Sequence, residues 1–193
     1  MSRRIGRILA FQALYLWDVG GVPAEDLLSF SWLERDCADF ADDARNSAGG
    51  IEPPAAPEIV GDAAALDASV ADNGVKYCLI DNLLAVFEKL PSEKKEEVFA
   101  FARLLEQGTL EHINEVDVLI KTHLSARWSF RRINKVALAV IRMSVYSLLY
   151  QKELSASVVI DEAVEIVKDY GSDDSHKFTN AILDKISKDI VQS

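Results

Sequence analysis

Histidine and cysteine are scarce. His112, His123 and His176 are the only imidazoles, and Cys37 and Cys78 the only thiols, in 193 residues. None stands at the short spacings that hold a metal, and two isolated cysteines make no disulfide framework. They read as free thiols in a reducing compartment, which favours a cytoplasmic protein. Glycine forms no phosphate-cradling loop, and there is no Gly-x-Ser-x-Gly elbow. Asp161 and Glu162 are adjacent, so they point to different sectors of a helix. Glu162 and Glu165 share a face, but one that reads as solvated rather than catalytic. The sequence therefore offers no reaction, and no catalytic residue, metal or cofactor is expected. No apolar run approaches the ~18 residues of a membrane span. Gln12 and Asp18 interrupt the first apolar stretch, which does not read as a signal peptide.

Positive charge is also short. The net charge is −10, but it is uneven: Asp36–Val75 holds nine acids against one base, Arg45, and so carries −8 of it. Screening acts over roughly 8 Å at physiological salt, so local clusters rather than the total decide what binds where. Within the acidic stretch, Arg45–Ala65 contains Gly49, Gly50, Pro53, Pro54, Pro57 and Gly61. It reads as a loop or flexible insertion, residues 45–65, inside one domain of residues 1–193. An inert insertion and a regulatory arm that competes with nucleic acid are both compatible with it.

The rest is helical in pattern. Val159, Ala163, Ile166, Val167 and Tyr170 mark one apolar face, and Gly171 follows as a stop. Ser172, Asp173 or Asp174 can then cap a last helix with Ile182, Ile186 and Ile190 on one stripe. Asn134–Tyr150 is apolar nearly all round, with Lys135 and Arg142 its only charges, as in a helix covered on several sides. Ile5–Trp17 is similar. Glu25–Ala44, Asp67–Leu90, Glu93–Glu106 and Thr109–Leu124 are amphipathic, with breaks expected at Pro91 and Gly108. Strand alternation is missing, so the fold class is all-α.

Two polar clusters stand out. Arg3, Arg4 and Arg7 precede any acid in the chain and, at helical spacing, leave from one side. A helix N-terminus already favours anions, so guanidiniums there gain nothing locally and suit an incoming phosphate. A solvated basic face, or pairing with the acidic insertion, is the plainer alternative. The second cluster is Ser172–Ile186, "SDDSHKFTNAILDKI". Phe178 is either a core aromatic on the Ile182 stripe or a platform for an unstacked base, with Lys177 and Asn180 beside it.

Three segments carry a family resemblance: "RRIGRILAFQALYLWD" at the start, Phe101–Tyr150 in the middle, and "VVIDEAVEIVKDYGSDDSHKFTNAILDKI" near the end. Together they resemble the NusB family of bacterial transcription antitermination factors. The resemblance implies an all-helical fold of two packed helical subdomains and no catalysis. It implies binding of boxA-type single-stranded RNA of ribosomal transcripts, jointly with the small-subunit ribosomal protein NusE, in an RNA polymerase elongation complex. A homodimer of the free protein is a further implied option, and a protein-interaction scaffold with little RNA affinity is the alternative function. By motif, the RNA-contacting residues would be Arg3, Arg4, Arg7, Tyr15, Asp174, Lys177, Phe178 and Asn180, and Tyr146 would help receive the ribosomal protein. The chain departs from the family pattern at Ile5 (often basic), Ser147 (often glutamate) and Ala181 (often glycine). It also matches poorly, and is longer than usual, between Trp17 and Phe101.

Overall fold

In the computed structural model, residues 2–34, 87, 89–125, 129–172 and 174–192 are described. The helices are α1 (Ser2–Gly20), α2 (Ala24–Leu28), α3 (Ser92–Glu111), α4 (Ile113–His123), α5 (Lys135–Tyr150), α6 (Ala156–Tyr170) and α7 (Ser175–Gln192). Short 3-10 turns occupy Ser31–Glu34 and Phe130–Arg132. Among the described residues every regular element is helical, as the all-α reading requires. The chain divides into two compact units, Met1–Phe30 with Lys89–Ser193, and Ser31–Glu88. The seven helices given above lie in the first. The expected loop at 45–65, the bulk of the expected helix Asp67–Leu90, and both cysteines lie outside the described residues.

The first unit is built round α5. Its residues Ala137–Ser147 form an unbroken buried run, and it packs against α1, α3, α4, α6 and α7. A helix with an apolar surface on every side must be covered on every side, so its composition sets its central place. Asn134 starts it by accepting from the backbone N–H groups of Val136 (3.0 Å) and Ala137 (3.2 Å). Two buried serines add no unpaired polar groups: Ser144 and Ser147 donate to the carbonyls of Val140 (2.8 Å) and Met143 (3.1 Å). α6 buries Val159, Ala163, Ile166 and Val167, the face read from spacing. Gly171 ends α6 with extended backbone and donates to Val167 O. The need for glycine there is steric, since a Cβ would come within 2.6 Å of that carbonyl. Ile182 and Ile186 of α7 are buried, while Ile190 is half-exposed.

Two expected boundaries move. The stretch from Glu25 breaks at Phe30, which takes φ 55° and buries its ring against Phe99, with centroids 5.1 Å apart. Gly108 is not a break. α3 runs through it to Glu111, and the chain turns at His112 instead. Gly108 is buried inside α3 because the Tyr146 ring of α5 lies against its Cα, and a side chain there would overlap that ring.

Candidate nucleic-acid interface

The first turns of α1 pack closely on α3. A Cβ on Gly6 would stand 2.7 Å from Phe101 Cδ1 and 3.3 Å from Val98 O, so only glycine admits this approach. The approach brings the Phe101 ring beneath two guanidiniums, with Arg3 Cζ 4.3 Å and Arg7 Cζ 5.4 Å from its centroid. Arg3 is exposed, whereas Arg7 is buried. Arg7 also faces Glu162 of α6 at 3.9 Å. Burial lowers the Arg7 pKa, the Glu162 charge opposes that, and the Arg3 charge adds to it. Arg4 also meets α6, donating to Asp169 Oδ2 at 2.9 Å near its C-terminal end. The three arginines of the sequence motif thus have three environments: one exposed cation on a ring, with no ion pair among the described residues, one half-exposed ion pair, and one buried guanidinium facing a half-buried acid.

Asp169 is followed, across the Gly171 turn, by the second cluster at the start of α7. Ser172 and Ser175 join their hydroxyls there at 2.5 Å. Lys177 donates to Asp174 at 2.9 Å with both side chains largely in solvent. That contact lowers the Asp174 pKa and raises that of Lys177. Phe178 is half-buried rather than sealed in the core. Asn180 is exposed and lines a surface groove between α6 and α7 with Ile160, Asp161 and Asp184. Arg4, through Asp169, stands beside the helix end that leads into this cluster.

Tyr15 and Tyr146 differ from that group in being mostly buried. Tyr146 lies against Gly108 and stacks on Tyr150, with centroids 5.2 Å apart. Tyr150 is exposed; its hydroxyl donates to Glu115 (2.7 Å) and meets His112 Nδ1 (2.9 Å). Seven residues of α3 separate Gly108 from Phe101, about 10 Å along the axis. The candidate partner residue is therefore placed on a different stretch of α3 from the arginines. Ser147 is buried and bonded within its own helix, and Ile5 is a core residue.

Sequence reasoning missed Phe101, the ring on which Arg3 rests, and the acids Asp169 and Glu162. Glu165 pairs with Lys168 at 2.6 Å and faces solvent as expected, but Glu162 is turned to Arg7. The aromatic sits in "FAFARL", one turn beyond Val98, and no local spacing ties it to the N-terminus. Among the described residues no three His, Cys, Asp or Glu side chains gather as metal ligands, and no helix is long and apolar enough to cross a membrane.

Exposed and half-exposed cations, an aromatic ring under one of them and a half-buried ring at the start of α7 mark the described surface of this all-helical chain. The NusB family model matches residues 65–188. A transcription antitermination protein NusB of Treponema denticola is 37% identical over 186 residues, 96% of each chain. That of Treponema pallidum subsp. pallidum is 36% identical over 188 residues, 97% of this chain and 94% of the other. The chain belongs to the NusB family. Solved structures agree in fold: T. maritima NusB at TM-score 0.55 and 26% identity over 96% of this chain and 90% of that one. A complex of antitermination factors NusB and NusE with dsRNA matches at TM-score 0.57 and 21% identity, over 97% of both chains. The match reaches back to residue 65, inside the stretch that resembles the family poorly by motif. The Treponema relatives align over nearly their whole length, so the long middle segment is not peculiar to this chain.

Proposed function

We propose that this chain is a non-enzymatic transcription antitermination factor that binds boxA-type single-stranded RNA jointly with the ribosomal protein NusE. It does so in the cytoplasm, within an RNA polymerase elongation complex. The observation that carries the reading is the exposed Arg3 guanidinium on the Phe101 ring. Arg4, Lys177, Phe178 and Asn180 extend that surface. The Arg4–Asp169 and Lys177–Asp174 pairs are solvent-exposed, and such pairs are worth only about 0–1 kcal/mol, so a phosphate can displace the carboxylate. Arg7 positions Phe101 and α6 rather than reaching the strand. Tyr15 supports the surface from within, and Tyr146 acts on the NusE side by holding the exposed Tyr150.

Three cations neutralising three phosphates give a salt slope of roughly −2 on a single strand, too small for tight binding alone. A second protein surface supplies the remainder. Gel-shift titration of a boxA-containing strand, with and without NusE, tests this. Binding is expected to be weak alone and sharpened by the partner, with Arg3→Ala weakening both. Equal affinity in the two conditions would refute joint recognition. The carboxylate partners of Arg4, Arg7 and Lys177 favour one rival, a scaffold that binds protein alone. For it, RNA affinity is absent or indifferent to Arg3→Ala while NusE binding persists.

A further inference from the structure

The far end of α1 meets a second cluster of positive charge. The 3-10 turn before α5 is held by the Arg132 N–H on Ser129 O (2.9 Å) and by Ile133, which is buried. Phe130, at its start, is half-buried. Between these anchors Arg131 and Arg132 are exposed. Lys121 of α4 rests on the Phe130 ring at 4.6 Å, and Arg142 approaches the same ring at 5.8 Å.

Two carboxylates touch this cluster, and both are already engaged. Asp117 takes both arms of Arg142 at 2.8 and 2.9 Å. Asp18 takes Lys135 at 2.7 Å and Arg142 at 3.2 Å. Lys121, Arg131 and Arg132 are left over, and no acid among the described residues lies within ion-pair distance of them. Two cations on one turn and a third on the neighbouring α4, none paired with an acid among the described residues, stand out in a chain of net charge −10. Arg131 and Arg132 also precede the start of α5, where the helix dipole opposes them and an added anion would relieve the cost, whereas Lys121 lies in the last turn of α4.

We infer that Arg131, Arg132 and Lys121 form a second, sequence-independent contact for the phosphate backbone of an RNA strand. The inference rests on the RNA-binding reading above and extends it to the opposite end of α1. Asp18, which holds this end, is 15 residues from Arg3, about 22 Å along the helix axis. At ~3.4 Å per stacked nucleotide that is six or seven nucleotides, within reach of one strand. Cations occupy the Phe130 ring, so it offers no platform for a base. The patch supplies charge without reading sequence.

The test is the salt dependence of binding of a 20-nucleotide (about 20) single strand between about 50 and 200 mM salt. It compares wild type, Arg131→Ala/Arg132→Ala, Arg131→Lys/Arg132→Lys and Arg3→Ala. Two lost phosphate contacts lower the slope by about 1.4, which narrows the affinity loss over that range by about sevenfold. The lysine pair is expected to restore the slope. Identical melting curves for the two double variants exclude a folding artefact. An unchanged slope in the alanine pair, beside a lowered slope in Arg3→Ala, overturns the second contact and spares the first. Loss of NusE binding without RNA, the RNA slope unchanged, also overturns it and assigns the patch to protein. No RNA binding by wild type removes both readings.

Discussion

Arg7 and Glu162 face each other at 3.9 Å between α1 and α6, and Glu162 Oε2 is buried without a hydrogen bond among the described residues. Arg7 is 6% exposed. It keeps company with the Phe101 ring on its other side, so one side chain ties α1 to both α3 and α6.

Arg7→Ala should therefore act on stability before it acts on any ligand. It leaves Glu162 without its counter-charge and removes a cation from a ring, at a cost of about 1–3 kcal/mol. Arg3→Ala, at an exposed site, loses only a solvent-facing cation–ring contact and should cost about 0.5–1 kcal/mol. Urea unfolding of the two variants separates them. Equal midpoints would mean that Arg7 is not the structural member of the basic motif.

Gly108 and Tyr146 make a second stability test. Gly→Ala within a helix normally gains about 1 kcal/mol. Here the new methyl overlaps the ring, and overpacking costs typically about 1–3 kcal/mol, so the net sign should be unfavourable. In a double-mutant cycle with Tyr146→Ala, Gly108→Ala should become neutral or stabilising, since the obstacle is gone. Additive effects would contradict the close approach.

Arg142 joins α1, α4 and α5 through Asp18 and Asp117, with the Trp17 ring 5.8 Å from its Cζ. Removal of one member of such a buried network costs about 3–5 kcal/mol, which Arg142→Ala is expected to show in thermal or urea melts. Arg142→Lys keeps the charge but cannot make the two-armed contact with Asp117, and should fall between the two. A fully wild-type Arg142→Lys would show that charge alone sufficed.

The central helix was legible because its composition admits only one kind of surroundings. The α6 face was legible because its buried residues are spaced by threes and fours. Both are properties of a single helix read along the chain. Gly108 misled because glycine is a helix breaker only on average. Here a ring from a helix more than thirty residues on needed its missing side chain, and no local pattern records that. The basic start showed which residues carry charge, but not that Arg4 and Arg7 face acids from α6 while Arg3 does not. The cations at Arg131 and Arg132 passed unnoticed inside a long family match, since their freedom depends on which acids Arg142 and Lys135 take. Partnership across helices is set by packing, and spacing along one helix is blind to it.

Glu106 gives the clearest pH test. It lies on α3 with no exposed surface, and neither carboxylate oxygen has a hydrogen-bond partner among the described residues. Burial raises its pKa to about 8, against a smaller opposing pull from Arg103. An unfolded glutamate titrates near 4.5. Between those values the unfolded chain has lost a proton that the folded chain keeps. Folding stability is then full below about pH 4.5 and falls as pH rises toward 8, by roughly 1 kcal/mol per pH unit, levelling off once the folded group ionises. Asp18, whose pKa is lowered by Lys135 and Arg142 against the pull of burial, works the other way and only in acid, so it stays outside this window. Glu106→Leu removes the titration and fills the site with an apolar side chain. The stability gap between Glu106→Leu and wild type, from urea unfolding at intervals from about pH 5 to 9, should widen in favour of the variant up to about pH 8 and then level off. A gap independent of pH would mean that the carboxylate is hydrated or paired in solution and ionises normally.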